Sequence, residues 1–182
     1  GKAGKKITQR DMELLLTKTG TDMGNLRMEM EKLISYTEGR DVVTAEDIEE
    51  ICTTQTTNRI FDMVRAVTEK NQKRALELYY DLLTLKEPPM RILFLLAKQY
   101  RQLLLAKQFA AAGLAQTEIA SKLGVPGFVV RNITTCARAY TISELEQAVK
   151  DFVDAEESVK TGRLEDKLSV ELLIIKYSSK VK

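Results

Sequence analysis

The stretch from Pro88 to Gly113, PPMRILFLLAKQYRQLLLAKQFAAAG, constrains the fold more than any other part of the chain. Pro88 and Pro89 suit a first helical turn, where a missing N–H costs little. Gly113 is a stop signal. Between them Ile92, Leu95, Leu96, Leu103 and Leu104 cover more than one face of a long helix. Such a helix has to be contacted from several sides, so the chain is expected to build a bundle around it.

The rest of the chain repeats the helical period. Met12, Leu15 and Leu16 form a stripe opened at Thr8 or Gln9 and closed at Gly20. Asp22 is placed to cap a second helix carrying Leu26, Met30, Leu33 and Ile34, with Arg27 and Glu31 one turn apart as a weak pair. TAED at 44–47 reads as a helix start with Thr44 as cap, and Ile48 and Ile51 form its buried side. TTQTTN, 53–58, breaks the pattern and is taken as a domain boundary. Beyond it, Ile60, Phe61, Val64 and Val67 share a face. Asn71 restarts a helix with Ala75, Leu76, Tyr79, Leu82 and Leu83. A short EIASKLG helix and one opening at Pro126 follow. SELE at 143–146 reads as a capping box of Ser143 with Glu146, leading a helix with Leu145, Ala148, Val149, Phe152 and Val153 that ends near Gly162. The last helix carries Leu168, Leu172, Leu173 and Ile175. The expected fold is all-α, about ten helices, with no segment of period-two alternation.

Composition excludes several functions. The 182 residues suit one or two small domains. At 44% hydrophobic and 30% charged the chain can bury a core. It has no His, and so lacks the commonest general base and nitrogen ligand. Cys52 and Cys136 are far apart and expected to be buried free thiols of a cytosolic protein, not metal ligands. No phosphate loop, dinucleotide fingerprint or nucleophile elbow is present. EDIEE and DAEES read as solvated helix faces. No catalytic residue, cofactor or metal site is expected. No apolar run reaches the roughly 18 residues of a membrane span. GKAGKK at the start leads into no apolar signal core, and the chain is expected to begin within a longer protein.

Two features point to partners. From Pro88 to Thr141 the only acid is Glu118, while Arg91, Lys98, Arg101, Lys107, Lys122, Arg131 and Arg138 supply seven bases. A basic face on helices can meet phosphate or an acidic protein. TEIASKLGVPGFVVRN, 117–132, has the outline of a helix-turn-helix, and a DNA-binding regulator using residues 117–138 is the alternative function. A recognition helix shows polar side chains from its first turns. Here those turns hold Phe128, Val129 and Val130, leaving Arg131, Asn132, Thr134 and Thr135 to read bases. A hairpin packed in a core explains the segment better.

The segments NLRMEMEKLISY, TAEDIEE, IFDMVRAV, RALELYYDLL, PPMRILFLLAKQYRQLLLAK, IASKLGVPGFVVR and ESVKTGRLEDKLSVELLI, in this order and spacing, resemble the delta subunit of the bacterial DNA polymerase III clamp loader. The pieces beginning at Lys98 (KQYRQLL) and Val159 (VKTG) are its strongest marks. The resemblance implies residues 1–52 as a small three-helix AAA+ lid-type domain and 53–182 as a helical-bundle collar. It implies a non-catalytic subunit of the polymerase holoenzyme, bacterial and cytoplasmic. The collar would assemble with the delta-prime and gamma/tau subunits, so that the complex loads the sliding clamp on primed DNA. Contact with the clamp would run through a preceding N-terminal domain. Arg27 stands near the place where ATP-hydrolysing relatives hold an Arg against nucleotide, and that role is not carried over to it. Arg91, Lys98, Arg101, Lys107, Arg131, Arg138, Lys160 and Arg163 are the expected partner or DNA contacts. For Lys160 and Arg163, beside Gly162 at a helix end, complementing the helix dipole is the simpler account.

Overall fold

The structure, a computed structural model, describes residues 4–20, 23–52 and 56–179. The chain divides into two compact units, Gly1–Asn58 and Arg59–Lys182.

In the first unit, β1 (Lys6–Ile7) precedes α1 (Gln9–Thr19) and α2 (Met23–Tyr36), and β2 (Val42–Val43) precedes α3 (Ala45–Ile51). The two strands pair in parallel, Lys6 with Val42 and Ile7 with Val43. No strand was expected, because segments of two residues are too short to show alternation. Thr8 caps α1 by accepting from the Asp11 N–H at 3.1 Å, and Gly20 ends it at φ +77°. Thr44 and Asp47 form a reciprocal capping box on α3, and Arg40 adds an ion pair to Asp47 at 2.8 Å. The backbone N–H of Thr44 is the main reason the Asp47 carboxyl lies below its ordinary range; burial opposes it and Arg40 assists. Leu15, Leu33, Val43, Ile48 and Cys52 form the small core, with Ile7, Met12 and Leu26 packed against it. The expected Asp22 cap lies outside the described residues.

The second unit holds α4 (Thr56–Thr68) from Arg59 onward, α5 (Gln72–Thr84), α6 (Pro89–Ala111), α7 (Gln116–Leu123), α8 (Gly127–Ala137), α9 (Ile142–Lys160) and α10 (Asp166–Ser178). As its apolar faces require, α6 is central: it packs against α7, α8, α9 and α10, while α5 packs on α10. Ile92, Leu93, Leu96, Tyr100, Leu103 and Ala106 of α6 are all buried. One aromatic cluster joins three helices. The Tyr100 ring lies 5.0 Å from Phe152 of α9 and 5.5 Å from Tyr177 of α10, centroid to centroid. The Tyr100 and Tyr140 hydroxyls are 3.1 Å apart and share a hydrogen bond. At the rim, Tyr177 donates to Asp151, which also accepts from Lys176 and Gln147. Burial pushes the Asp151 carboxyl up, but these donors outweigh it and leave it lowered.

Helix ends repeat one device. At the end of α9 the Gly162 N–H donates to Val159 O and the Arg163 N–H to Ser158 O, with Gly162 at φ +70°, which is a Schellman stop. The α6 end at Gly113 is built the same way. At the ends of α4 and α5 the left-handed residue is a lysine, Lys70 at φ +57° and Lys86 at φ +61°. A side chain in that conformation is strained. Lys86→Gly is therefore expected to stabilise the protein by about 1 kcal/mol, partly offset by the freer unfolded chain. A rise in the urea midpoint at unchanged slope reads this directly, and a fall would show that the Lys86 side chain holds something glycine cannot.

Two expectations are corrected here. The cap of α9 is Thr141 with Glu144, not Ser143 with Glu146. TISELE contains two overlapping boxes. Only the Thr141 register puts apolar residues, the buried Tyr140 and Leu145, at the two positions of a hydrophobic staple. In α10 the core stripe is Val170, Leu173 and Ile174, while Leu168 and Leu172 stand 42% and 47% exposed.

Candidate interaction surfaces

The α7–α8 hairpin is where a DNA reader would show itself. Gly124 stops α7 in the left-handed conformation, and Pro126 opens α8. The first turns of α8 face inward. Val130 and Ile133 are fully buried, and Phe128 and Val129 are half-buried. The hydroxyls of Thr134 and Thr135 donate to carbonyls of their own helix, at Val130 and Arg131. What α8 leaves outside is Gly127, Arg131, Thr135 and, just past its end, Arg138, spaced as one stripe along the helix. A helix whose opening turns are core cannot lay them in a major groove, and the helix-turn-helix reading is not favoured.

The eight expected contact residues do not form a single set. Arg91, Lys98, Arg101 and Lys107 lie on α6. Arg91 is exposed and paired with Glu87 at 2.9 Å. Lys107 is half-buried and turned inward: its Nζ donates to Ala137 O at 2.9 Å and so caps the end of α8. Lys98 and Arg101 are exposed, with no ion pair among the described residues. Arg131 and Arg138 belong to the outer stripe of α8. Lys160 pairs with Glu156 at 2.6 Å and Arg163 with Glu157 at 3.0 Å, both beside the Schellman stop of α9. Each of these two bases is thus engaged with a carboxylate of α9 itself.

Exposed apolar side chains are the part that periodicity does not reveal. Phe94 of α6 is 65% exposed, and Leu85 and Val153 are 58% exposed. Tyr80 of α5 is exposed and bonds Glu171 of α10 at 2.9 Å, beside the exposed Leu172 in sequence. The one sequence signal for Phe94 is that it shares a stripe with Lys98 and Arg101, which does not say whether another helix covers that stripe.

Neither thiol is poised to react. Burial raises Cys52 to about 11, with Glu29 adding to the shift, and burial also raises Cys136. Among the described residues no group of three or more His, Cys, Asp or Glu could hold a metal ion, and no helix is long and apolar enough to cross a membrane.

Residues 57–177 match the family described as DNA polymerase III delta subunit, C-terminal domain. The DNA polymerase III subunit delta of Bacillus subtilis (strain 168) is 27% identical over 171 residues, 94% of this chain and 49% of that protein. The probable DNA polymerase III subunit delta of Aquifex aeolicus (strain VF5) is 23% identical over 123 residues, 67% of this chain and 35% of that protein. The solved structure of the Bacillus subtilis DNA clamp loader delta protein (YqeN) is similar at a TM-score of 0.87 and 26% identity, covering 98% of this chain and 53% of that one. The chain thus spans about half the length, or less, of the relatives it matches.

Proposed function

The chain belongs to the DNA polymerase III delta subunit family, through its C-terminal domain, and on that footing we propose that it is an assembly module of a bacterial clamp loader. Residues from about 53 onward act as the collar, and the preceding unit as an AAA+ lid. The collar joins the delta-prime and gamma/tau subunits, so that the assembled loader places the sliding clamp on primed DNA in the cytoplasm. The chain contributes no catalytic group, no cofactor and no metal to the holoenzyme. Its part is to hold neighbours.

One observation carries this reading: the family match, 57–177, runs almost end to end over the bundle from α4 to α10. The physical reading points the same way. The bundle is built around apolar packing and an aromatic cluster, and several of its ionisable groups, Lys107, Lys160 and Arg163 among them, are engaged at helix ends or in ion pairs. A stable interface of about 1,600 Å² in total is within reach of a domain of this size.

Immobilised chain, challenged with loader subunits, sliding clamp and duplex DNA in turn, tests the proposal. The subunits are expected to be retained. The clamp is expected to pass, because contact with it is assigned to the part of a delta subunit not matched here. Duplex binding is expected to show no base preference at low or moderate salt. Retention of the clamp as tight as by an intact delta subunit, or a base preference lost in Arg131→Ala, would contradict the assignment.

A further inference from the structure

We infer that the open face of α6 around Phe94, Lys98 and Arg101 docks an acidic helix carrying one apolar anchor, supplied by a neighbouring loader subunit; this rests on the assembly role proposed above. α6 is packed by four other helices, yet one strip of it stays bare. Arg91, Phe94, Lys98 and Arg101 are its exposed residues between Met90 and Leu105. At 3.6 residues per turn they fall within about 80° of the helix circumference. The half-buried Leu105 continues the strip.

The chemistry of this strip specifies its occupant. Phe94 offers a ring that is 65% exposed, and aromatic and arginine side chains are what concentrate binding energy at interfaces. Lys98 and Arg101 lie about 6 and 10 Å further along the axis, exposed and with no ion pair among the described residues. Arg91, on the other side of Phe94, already has Glu87. The charge is therefore one-sided: an apolar anchor must meet Phe94, and carboxylates must follow it by one to two helical turns in the direction of Arg101. The only acid of the long window from Pro88 to Thr141, Glu118, accepts from the Ala115 N–H at the start of α7. Nothing on α6 itself therefore neutralises the face.

A nucleic acid strand fits less well. Sequence-independent affinity for nucleic acid is carried by summed phosphate contacts and falls steeply with salt. This strip has two bases with no ion pair among the described residues, on a convex helix surface, where single-strand binders use a basic groove with several stacking rings.

The test compares the wild-type chain with Phe94→Ala, Lys98→Glu/Arg101→Glu and the control Lys150→Glu, an exposed site on α9. Affinity for the loader's gamma/tau and delta-prime subunits is measured by titration at two salt concentrations. Phe94→Ala and the double charge reversal are each expected to weaken binding to one subunit by about tenfold or more, the reversal most at low salt. Lys150→Glu is expected to leave it unchanged. Matching thermal melts confirm that the exposed substitutions leave the fold intact. If wild type assembles and both face variants assemble equally well, this inference falls while the assembly role stands. If wild type does not bind the subunits at all, both fall. If an oligo-dT strand of about 20 bases binds and the double variant loses it while subunit binding is untouched, the face belongs to nucleic acid and the inference is overturned.

Discussion

Replacing Tyr100 with Ala is expected to lower the unfolding free energy by about 3–5 kcal/mol, the range for removing a large buried aromatic. Tyr100 is 1% exposed at the middle of α6, and its ring contacts those of Tyr140, Phe152 and Tyr177. The substitution empties the point where α6, α9 and α10 meet and strands the Tyr140 hydroxyl. Tyr100→Phe separates the two effects. It keeps the ring and removes only the 3.1 Å hydrogen bond to Tyr140, with an expected loss of about 1–3 kcal/mol. Urea unfolding followed by helical circular dichroism reads both. The cluster also sets an alkaline limit. Burial raises the Tyr100 and Tyr140 hydroxyls, Tyr140 to about 12. A raised folded-state pKa gives stability that is full below the unfolded value of about 10 and is lost as pH climbs through the folded one. The wild type should therefore weaken from about pH 10 upward, and Tyr100→Phe should soften that decline. A loss below about 1 kcal/mol in Tyr100→Ala would mean that α6 is not the keystone of the bundle.

Val130→Asp is expected to be as severe, at more than about 4 kcal/mol, enough to unfold the second unit. Val130 is fully buried in the first turns of α8, and the substitution places a carboxylate there without a built partner. The control is Arg138→Ala at the exposed end of the same helix, expected to stay within about 0.5 kcal/mol of wild type. This pair asks the question raised by the helix-turn-helix outline in a form independent of DNA. A recognition helix holds its opening turns toward solvent, so Val130→Asp would leave thermal stability intact and alter only binding. Retained helical signal and an unchanged melt would reverse the present assignment of that face.

What the sequence foretold, and what it did not, follows from how each kind of information is stored. Helix number, the central place of α6 and the inward turn of Phe128–Val130 are carried by residues within a turn or two of one another. Periodicity reports such relations directly. Caps at Thr8, Thr44 and Asn71 are local for the same reason. The misread cap at Ser143 was local too, but two boxes overlapped, and the choice hung on Tyr140 and Leu145 both reaching the core. Leu168, Leu172 and Phe94 show a different limit. A stripe says which residues share a face, whereas which face gets covered depends on helices far away in the chain. Lys107 shows it for charge. It belongs to the basic window by sequence, yet its ammonium is turned to Ala137, thirty residues on. Composition cannot tell a base that holds the fold together from one left for a neighbour. The short strands of the first unit were invisible because two residues carry no period.

The claim underlying all of this is that the bundle exists to hold other subunits. Sedimentation velocity of the chain mixed with equimolar gamma/tau and delta-prime proteins tests it most directly. The account predicts one faster boundary whose mass contains all three components, with the free chain depleted from its own boundary. Separate sedimentation of the chain, unchanged at concentrations where the other two associate, would contradict it.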